Sequence, residues 1–245
     1  MSQKLKGGDV HLTTGCESLD SLLGGGFERG VVSQLYGLPG TGKTNICIQT
    51  AVETIRDGGS VVYIDTEGFS PARFEQIAGD DSDEIAREFI VKEVYDFDEQ
   101  VVAVRDVENL ASEIDLVILD SATGLYRVEP HDEDANGSDD ESPLKRLTRQ
   151  VTHLTSLARR YDFAAVITNQ VYTRMENGMG SNNASGNSNG ISPLGGRMVE
   201  HWTKAIVRLE KSGGNSRKAF LEKHRSQPTG RSASFHISDD GIESP

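Results

Sequence analysis

The stretch YGLPGTGKTN, residues 36–45, decides the fold of this chain. Positions 37–44 match the pattern G-x-x-x-x-G-K-[ST] at every fixed residue. The apolar segment 31–36 predicts a buried strand before the loop, and apolar residues at helical spacing predict a helix over 43–56. A strand, a glycine-rich loop and a helix in this order predict a phosphate-binding P-loop, and they make a chance glycine-rich turn the weaker interpretation.

The fixed residues of this loop have separate expected tasks. Its glycines let backbone N–H groups turn toward phosphates, and the positive end of the helix dipole adds to their attraction. Lys43 is expected to reach the β- and γ-phosphates of a nucleoside triphosphate, and Thr44 to place its hydroxyl on Mg²⁺. The residues expected to bind the nucleotide are Gly37, Leu38, Pro39, Gly40, Thr41, Gly42, Lys43, Thr44 and Asn45.

Carboxylates follow two of the predicted strands. Asp120 ends the apolar run LVILD, so we expect it to join Thr44 in holding the metal. Asp65 and Glu67 come at the end of the second predicted strand, in YIDTEG, and hydrolysis also needs a group that orients and deprotonates water. From the residues alone, Asp65 could serve only to cap the turn, and Glu67 could be a solvated acid.

Strand and helix patterns alternate along most of the chain, which predicts a parallel sheet built from β-α-β units. The late segments 204–211, 217–224 and 232–238 are separated by turns and predict an antiparallel extension of that sheet. We expect an α/β fold in a single domain, 1–245, with helices on a mostly parallel central sheet and a core over about 12–240. The predicted strands are 31–36, 60–65, 88–94, 115–120 and 163–170, and the predicted helices are 43–56, 71–78, 82–88, 97–110 and 144–160.

Two polar segments are too long to be ordinary connections. One is 127–143, and the other is 172–195, of which 177–190 is nearly all Gly, Asn and Ser. Neither can bury much apolar surface, so both are predicted to be mobile loops.

The composition favours a soluble protein of the cytoplasm without a membrane partner. No apolar run approaches the ~20 residues of a membrane span, and residues 1–10 lack the apolar stretch of a signal peptide. Cys16 and Cys47 form no CxxC motif and are expected to be small buried residues. The net charge of −13 argues against a permanent nucleic-acid binder, or else indicates adaptation to a salt-rich cytoplasm.

Five segments that occur in order resemble the ATPase core of the archaeal and eukaryotic RecA-like recombinases. They are LTTGCESLDSLLGGGFERG leading into the P-loop, VVYIDTEGFSPARF, LVILDSATGLYR, AAVITNQV and PLGGRMVEHWTKAIVRLEK. The resemblance covers most of 12–240 and implies a RecA-like P-loop ATPase core that binds ATP and Mg²⁺. A KaiC-type ATPase begins with a similar segment, but it usually carries two adjacent glutamates where this chain has Thr66 and Glu67.

The resemblance implies roles for individual residues around the nucleotide. Glu67 would polarise the attacking water, with Lys43 and Gln170 as further catalytic residues. Gln170, at the end of the fifth predicted strand, would sense the γ-phosphate and pass its state to the following loop. Arg73, in SPARF, would lie over the adenine. From the residues alone, Gln170 could instead be a strand-end hydrogen-bonding group, and Arg73 and Arg127 could be surface arginines.

DNA is a further partner that the resemblance implies. Arg127 would lie at the root of the first DNA-binding loop, and Arg174 would lie at the start of the second, with Arg197 beyond it. Both loops depart from the pattern of the family. The stretch 131–141 contains six acids and no Lys or Arg. No aromatic residue that could stack on bases lies between positions 172 and 202, so efficient strand exchange is not expected.

The pattern is most similar to the core-only recombinase paralogues of euryarchaea, and its acidity would fit a halophilic source. About ten residues precede the core, so we expect neither the N-terminal helical domain of the active recombinases nor the linker that docks on the next subunit. The resemblance implies an accessory protein with weak ATPase activity that binds single-stranded or branched DNA and assists the main archaeal recombinase in recombination and repair. Homo-oligomers are possible. An active DNA-dependent recombinase and a KaiC-like signalling ATPase that does not bind DNA remain the alternatives.

Overall fold

The computed structural model describes residues 10–127, 142–173 and 191–245. In these residues a sheet of nine strands crosses the centre of the molecule, and two short sheets of two strands lie beside it. The strands are β1 His11–Leu12, β2 Phe27–Glu28, β3 Val32–Gly37, β4 Val61–Asp65, β5 Phe89–Glu93, β6 Leu116–Asp120, β7 Ala164–Asn169, β8 Val171–Thr173, β9 Ile191–Pro193, β10 Ala205–Lys211, β11 Ser216–Lys223, β12 Ser232–Ser238 and β13 Gly241–Glu243. The helices are α1 Glu17–Leu23, α2 Lys43–Arg56, α3 Pro71–Ala78, α4 Ser82–Ile85, α5 Phe97–Asp106, α6 Pro143–Tyr161 and α7 Gly196–Trp202.

The order of the large sheet is β13-β12-β11-β10-β3-β7-β6-β4-β5. The strands from β10 to β5 in this order pair in parallel, and β11, β12 and β13 continue the sheet with antiparallel pairing. The predicted α/β fold with a mostly parallel sheet and antiparallel C-terminal strands is therefore confirmed. Segment 204–211 needs a correction, because β10 is parallel to β3 and only its other edge pairs antiparallel. The apolar pattern of a strand does not reveal its direction.

Helices cover both faces of the sheet. Helices α1 to α4 pack on one face, over a core that includes Ile46 and Val166. Helices α5 to α7 pack on the other face, over Val104 and Leu154. Strands β6 and β7 are buried along their whole length, as expected for apolar runs without alternation. Of the helices in the described ranges, none is both long and apolar enough to cross a membrane.

The segment TTG, residues 13–15, is tied to α1 by hydrogen bonds. The carboxylate of Asp20 accepts hydrogen bonds from the hydroxyls of Thr13 at 2.5 Å and Thr14 at 2.7 Å, and from the backbone N–H of Thr14 at 2.8 Å. In α2, the side chain of Gln49 donates to the carbonyl of Ile242 at 2.9 Å and so attaches the last strand to the P-loop helix. The same side chain donates to the carbonyl of Gly15 at 3.1 Å, so α2 is attached to both ends of the described chain.

The two long polar segments lie mostly outside the described residues, which omit 128–141 and 174–190. The ends of the second segment are more regular than the sequence predicted, because β8 and β9 pair as the base of a hairpin. Helix α7 then begins at Gly196. The first segment ends where α6 begins, at Pro143.

Candidate nucleotide site

The phosphate loop joins the end of β3 to the start of α2, at the edge of the sheet where the parallel strands end. Gly42 precedes the helix with a left-handed backbone, at φ 99°, which favours glycine. A Cβ on Gly37 would lie 2.4 Å from the carbonyl oxygen of Leu209, so the close approach of β10 requires glycine there. These two glycines of the pattern are therefore needed for the path of the chain.

Lys43 turns back over this loop, and its side chain is buried. Its ammonium group donates to the carbonyl of Gly37 at 2.9 Å and to that of Leu38 at 3.3 Å. Burial lowers the pKa of Lys43, while the negative charges of Asp120 and Glu67 oppose that effect. A buried ammonium group held by backbone carbonyls beside two carboxylates fits a site that receives an anion.

Asp120 lies at the end of β6, and only 3% of its surface is exposed. Its Oδ2 accepts a hydrogen bond from the hydroxyl of Tyr63 at 2.7 Å, and its Oδ1 accepts one from Thr168 at 2.5 Å. Burial and then the charge of Asp120 raise the pKa of Tyr63, so the phenol remains a donor. Donors on the neighbouring strands β4 and β7 thus fix the carboxylate. Thr44 is exposed in the first turn of α2.

Asp65 and Glu67 have different surroundings, although they are two residues apart. Asp65 is buried and accepts from the backbone N–H of Gly68 at 2.8 Å, and burial raises its pKa. Glu67 is exposed, and its Oε1 accepts from Ser121 Oγ at 2.7 Å and from Gln170 Nε2 at 2.7 Å. Asp65 therefore caps the turn after β4, and Glu67 extends toward the ends of β6 and β7.

Gln170 follows the last residue of β7 and links Glu67 to the base of the β8–β9 hairpin. Its backbone N–H donates to Thr123 Oγ1 at 3.1 Å, and its carbonyl accepts from the N–H of Leu194 at 3.1 Å. The neighbouring Asn169 donates from its side chain to the carbonyl of Leu194 at 2.7 Å. The contact between Glu67 and Gln170 joins residues that are 103 positions apart.

Arg73 lies beside the first turn of α2. Its Nε donates to Asn45 Oδ1 at 2.6 Å, and its terminal nitrogens donate to the carbonyls of Ser238 at 2.9 Å and Asp239 at 2.6 Å. Burial lowers the pKa of Arg73, while the charges of Asp239 and Asp240 oppose that effect. The guanidinium group therefore joins α2, α3 and the turn between β12 and β13.

The arginines predicted to contact DNA are less defined by the structure. Arg127 ends a short 3-10 turn, Leu125–Arg127, directly before the first omitted segment. Arg174 lies outside the described residues, and Arg197 is exposed in the first turn of α7. The residues predicted to bind the nucleotide converge at one edge of the sheet, whereas a DNA surface is not defined by these three arginines.

Three residues of the site were missed by the sequence analysis. Tyr63 and Thr168 fix Asp120, and Ser121 contacts Glu67. Their signal was weak, because a hydroxyl inside an apolar strand is ordinary. Only Ser121, directly after the strand-end carboxylate, has a position that points to the site.

A phosphate loop on this sheet, with a carboxylate at the end of a nearby strand, defines a RecA-like P-loop protein. The Rad51 family model matches residues 7–245, so the chain belongs to the Rad51 family. The confirmed family disfavours the KaiC-type alternative.

Within that family the chain is similar to archaeal RadB proteins. It is 47% identical to the DNA repair and recombination protein RadB of Halobacterium salinarum over 240 residues, which cover 96% of this chain and 95% of the relative. It is 44% identical to the RadB protein of Methanococcoides burtonii, with 94% of this chain and 96% of the relative covered. A crystal structure described as the RadB recombinase superposes with a TM-score of 0.76 and 35% identity, covering 96% of this chain and 99% of that one.

Proposed function

We propose that this protein is an ATP-governed accessory of homologous recombination and DNA repair. ATP acts mainly as a conformational ligand, and its binding prepares the protein to engage DNA and the main recombinase. Hydrolysis is slow, and strand exchange by the protein alone is weak or absent. Its RadB relatives are named DNA repair and recombination proteins, which supports a role in repair, and the acidic stretch 131–141 argues against strong DNA binding.

The donor set of the site fits a triphosphate with Mg²⁺. The ammonium group of Lys43 exchanges the carbonyls of Gly37 and Leu38 for phosphate oxygens, which removes the cost of a buried, incompletely neutralised charge. Thr44 and Asp120 supply the hydroxyl and the carboxylate that hold the metal and its water shell. Bound Mg²⁺ would neutralise charge on the phosphates.

Arg73 fits a role at the base of the nucleotide. The N–H donors of a guanidinium group lie in its plane, and those of Arg73 bind Asn45 and the turn between β12 and β13. These bonds hold the plane in one orientation, and a face of such a plane can stack on a purine ring. The role of Arg73 is then to position the adenine without a hydrogen bond to it.

The contact between Glu67 and Gln170 is the observation that carries the proposal. Gln170 contacts the site through its side chain and the base of the β8–β9 hairpin through its backbone. When the amide turns from Glu67 to the γ-phosphate, the equilibrium between conformations of the β8–β9 pair should shift. The nucleotide therefore acts on the base of the β8–β9 hairpin through a chain of direct contacts.

DNA binding across nucleotide states tests this proposal. Fluorescence anisotropy of labelled single-stranded and branched DNA is measured with the full chain in molar KCl, with Mg²⁺ and either ATP or no nucleotide. The coupling should tighten DNA binding by roughly tenfold when ATP is present. Lys43→Ala should lose this response together with ATP binding. Gln170→Ala should keep ATP binding and lose the response, which makes it the matched control for coupling.

Two results would contradict the proposal. Equal DNA affinity with and without ATP would show that the nucleotide does not act on the DNA surface. Strong strand exchange by the protein alone would favour the active recombinase. A strand-exchange assay of the cognate recombinase, with the parent or with Lys43→Ala added, then measures assistance directly, and only the parent should increase the yield.

A further inference from the structure

We propose that Ser121 is a positioning residue for hydrolysis, because its hydroxyl fixes the orientation of the Glu67 carboxylate. This inference rests on the proposed role of Glu67 as the group that polarises the attacking water. Ser121 Oγ donates to Glu67 Oε1 at 2.7 Å, across the gap between the ends of β6 and β4. Ser121 itself has no exposed surface, so its hydroxyl acts from inside the protein.

Ser121 is held on both sides of its own side chain. Its backbone N–H donates to Thr66 Oγ1 at 2.8 Å, and its carbonyl accepts from the same hydroxyl at 3.0 Å. It directly follows Asp120, whose carboxylate is fixed by Tyr63 and Thr168. The backbone that carries the Ser121 hydroxyl is therefore fixed by hydrogen bonds, next to a carboxylate that is itself fixed.

Gln170 is the second donor to Glu67, and the proposed function gives it a different task from that of Ser121. It lies at the base of the β8–β9 hairpin, and the proposed function requires its amide to turn toward the γ-phosphate. When it does so, Glu67 keeps one of its two hydrogen bonds, the one from Ser121. Glu67 is exposed, and its long side chain would otherwise gain rotamer freedom at the moment when orientation matters.

The two hydrogen bonds also distinguish the two oxygens of the Glu67 carboxylate. Both donors bind Oε1 of Glu67, and Oε2 accepts no hydrogen bond from the part of the chain that the structure describes. Because Ser121 holds Oε1, it leaves Oε2 as the oxygen available to water. A general base needs one oxygen within hydrogen-bond reach of its proton, so this selection is what the serine contributes.

Gly124 provides the space for this arrangement. A Cβ at this position would lie 2.8 Å from Thr66 Oγ1 and 3.0 Å from Ser121 Oγ. Its backbone is not in the left-handed region, so alanine can adopt the backbone conformation but would force these two hydroxyls to shift. Gly124→Ala would push directly on the group that holds Glu67, which provides a second and independent variant.

The experiment measures single-turnover ATP hydrolysis and ATP affinity of the full chain, in Mg²⁺ and molar KCl. Ser121→Ala should lower the hydrolysis rate by about tenfold, as for a lost hydrogen bond to a charged group. ATP affinity should stay at the parental value. Ser121→Thr keeps the hydroxyl and should restore most of the rate. Ser156→Ala, on the exposed face of α6, is the matched control and should leave both quantities unchanged.

A double-mutant cycle separates positioning from a general structural role. If Ser121 acts through the carboxylate, then Ser121→Ala should have no further effect in a Glu67→Gln protein. Gly124→Ala should lower the rate in the same way, and it decides the question if Ser121→Ala does not fold.

Four outcomes would overturn the inference. The first is a parental hydrolysis rate in Ser121→Ala, and the second is a loss of ATP affinity in Ser121→Ala as large as its loss of rate. The third is a further loss of rate when Ser121→Ala is added to Glu67→Gln, and the fourth is a parent that hydrolyses ATP no faster than Glu67→Gln. Failure of the parent to bind ATP is a different result, because it removes the proposed function as well.

Discussion

Replacement of Tyr63 by phenylalanine removes one hydroxyl from the centre of the proposed metal site. The ring is fully buried and packs edge-on against Phe69 and Phe89, with centroid distances of 5.5 and 5.7 Å. Phenylalanine keeps that packing, so the change isolates the hydrogen bond from Tyr63 to Asp120, which is 2.7 Å long. Asp120 then keeps the hydrogen bond from Thr168 on Oδ1 and loses the one on Oδ2.

The expected size follows from the burial of the acceptor. A hydrogen bond to a charged group is worth roughly 1.5–3 kcal/mol, and Asp120 is only 3% exposed, so water does not easily replace the donor. A loss of about 2 kcal/mol lowers Tm by roughly 4–8 °C in a chain of this size. Tyr36→Phe is the matched control, because it removes a phenol that donates to Glu222 at 2.5 Å. The side chain of Glu222 is 26% exposed, so Tyr36→Phe should lose less stability than Tyr63→Phe.

The assay compares ATP affinity with and without Mg²⁺. In Tyr63→Phe the carboxylate is less well fixed, so the tightening of ATP binding by Mg²⁺ should shrink by about tenfold, while ATP binding in EDTA stays at the parental value. Tyr36→Phe should keep the full effect of Mg²⁺. If Tyr63→Phe loses stability but responds to Mg²⁺ as the parent does, the assignment of Asp120 to the metal is wrong.

Three further changes test separate parts of the account. Asp20→Ala removes the acceptor of three hydrogen bonds and should lower the free energy of unfolding by about 3 kcal/mol in urea, with ATP affinity unchanged; a loss of ATP affinity would assign the TTG segment to the site. Burial raises the pKa of Asp65 in the folded state, so this group stabilises the fold below its ordinary value of 3.8, and that contribution is lost as pH rises through the folded value. In urea titrations across pH, the parent should therefore lose more unfolding free energy than Asp65→Asn as pH rises from 3.8. Two curves that stay parallel would contradict this reasoning. Arg73→Lys cannot bridge Asn45 and the turn between β12 and β13, so titration with a fluorescent ATP analogue should show roughly tenfold weaker binding; parental affinity would remove Arg73 from the base site.

Local sequence predicted the elements whose signals are themselves local. The helix over 43–56 agrees with α2, because the P-loop pattern marks its start and glycines mark its end. The helix over 71–78 agrees with α3, where Ser70 accepts from the N–H of Arg73 and Pro71 begins the helix. The short α1 was missed, since Cys16 precedes it without a side-chain cap and it has only seven residues.

Features that depend on distant contacts could not be predicted in this way. The direction of β10 depends on its pairing with β3, and no residue in it encodes that choice. The sequence placed Glu67 and Gln170 in the site only through the family resemblance, and it did not indicate that they touch. The contact of Ser121 with Glu67 exists only because β4 and β6 are paired, and the role proposed for Ser121 depends on that contact.

Calorimetric titration of the protein with Mg-ATP tests the central claim most directly, namely that the loop 37–44 and Asp120 together hold a triphosphate with its metal. The account predicts saturable binding to the parent, a loss of about 100-fold or more in Lys43→Ala, and a loss in Asp120→Asn that appears only when Mg²⁺ is present. Absence of binding to the parent, or equal affinity in Lys43→Ala, would contradict it.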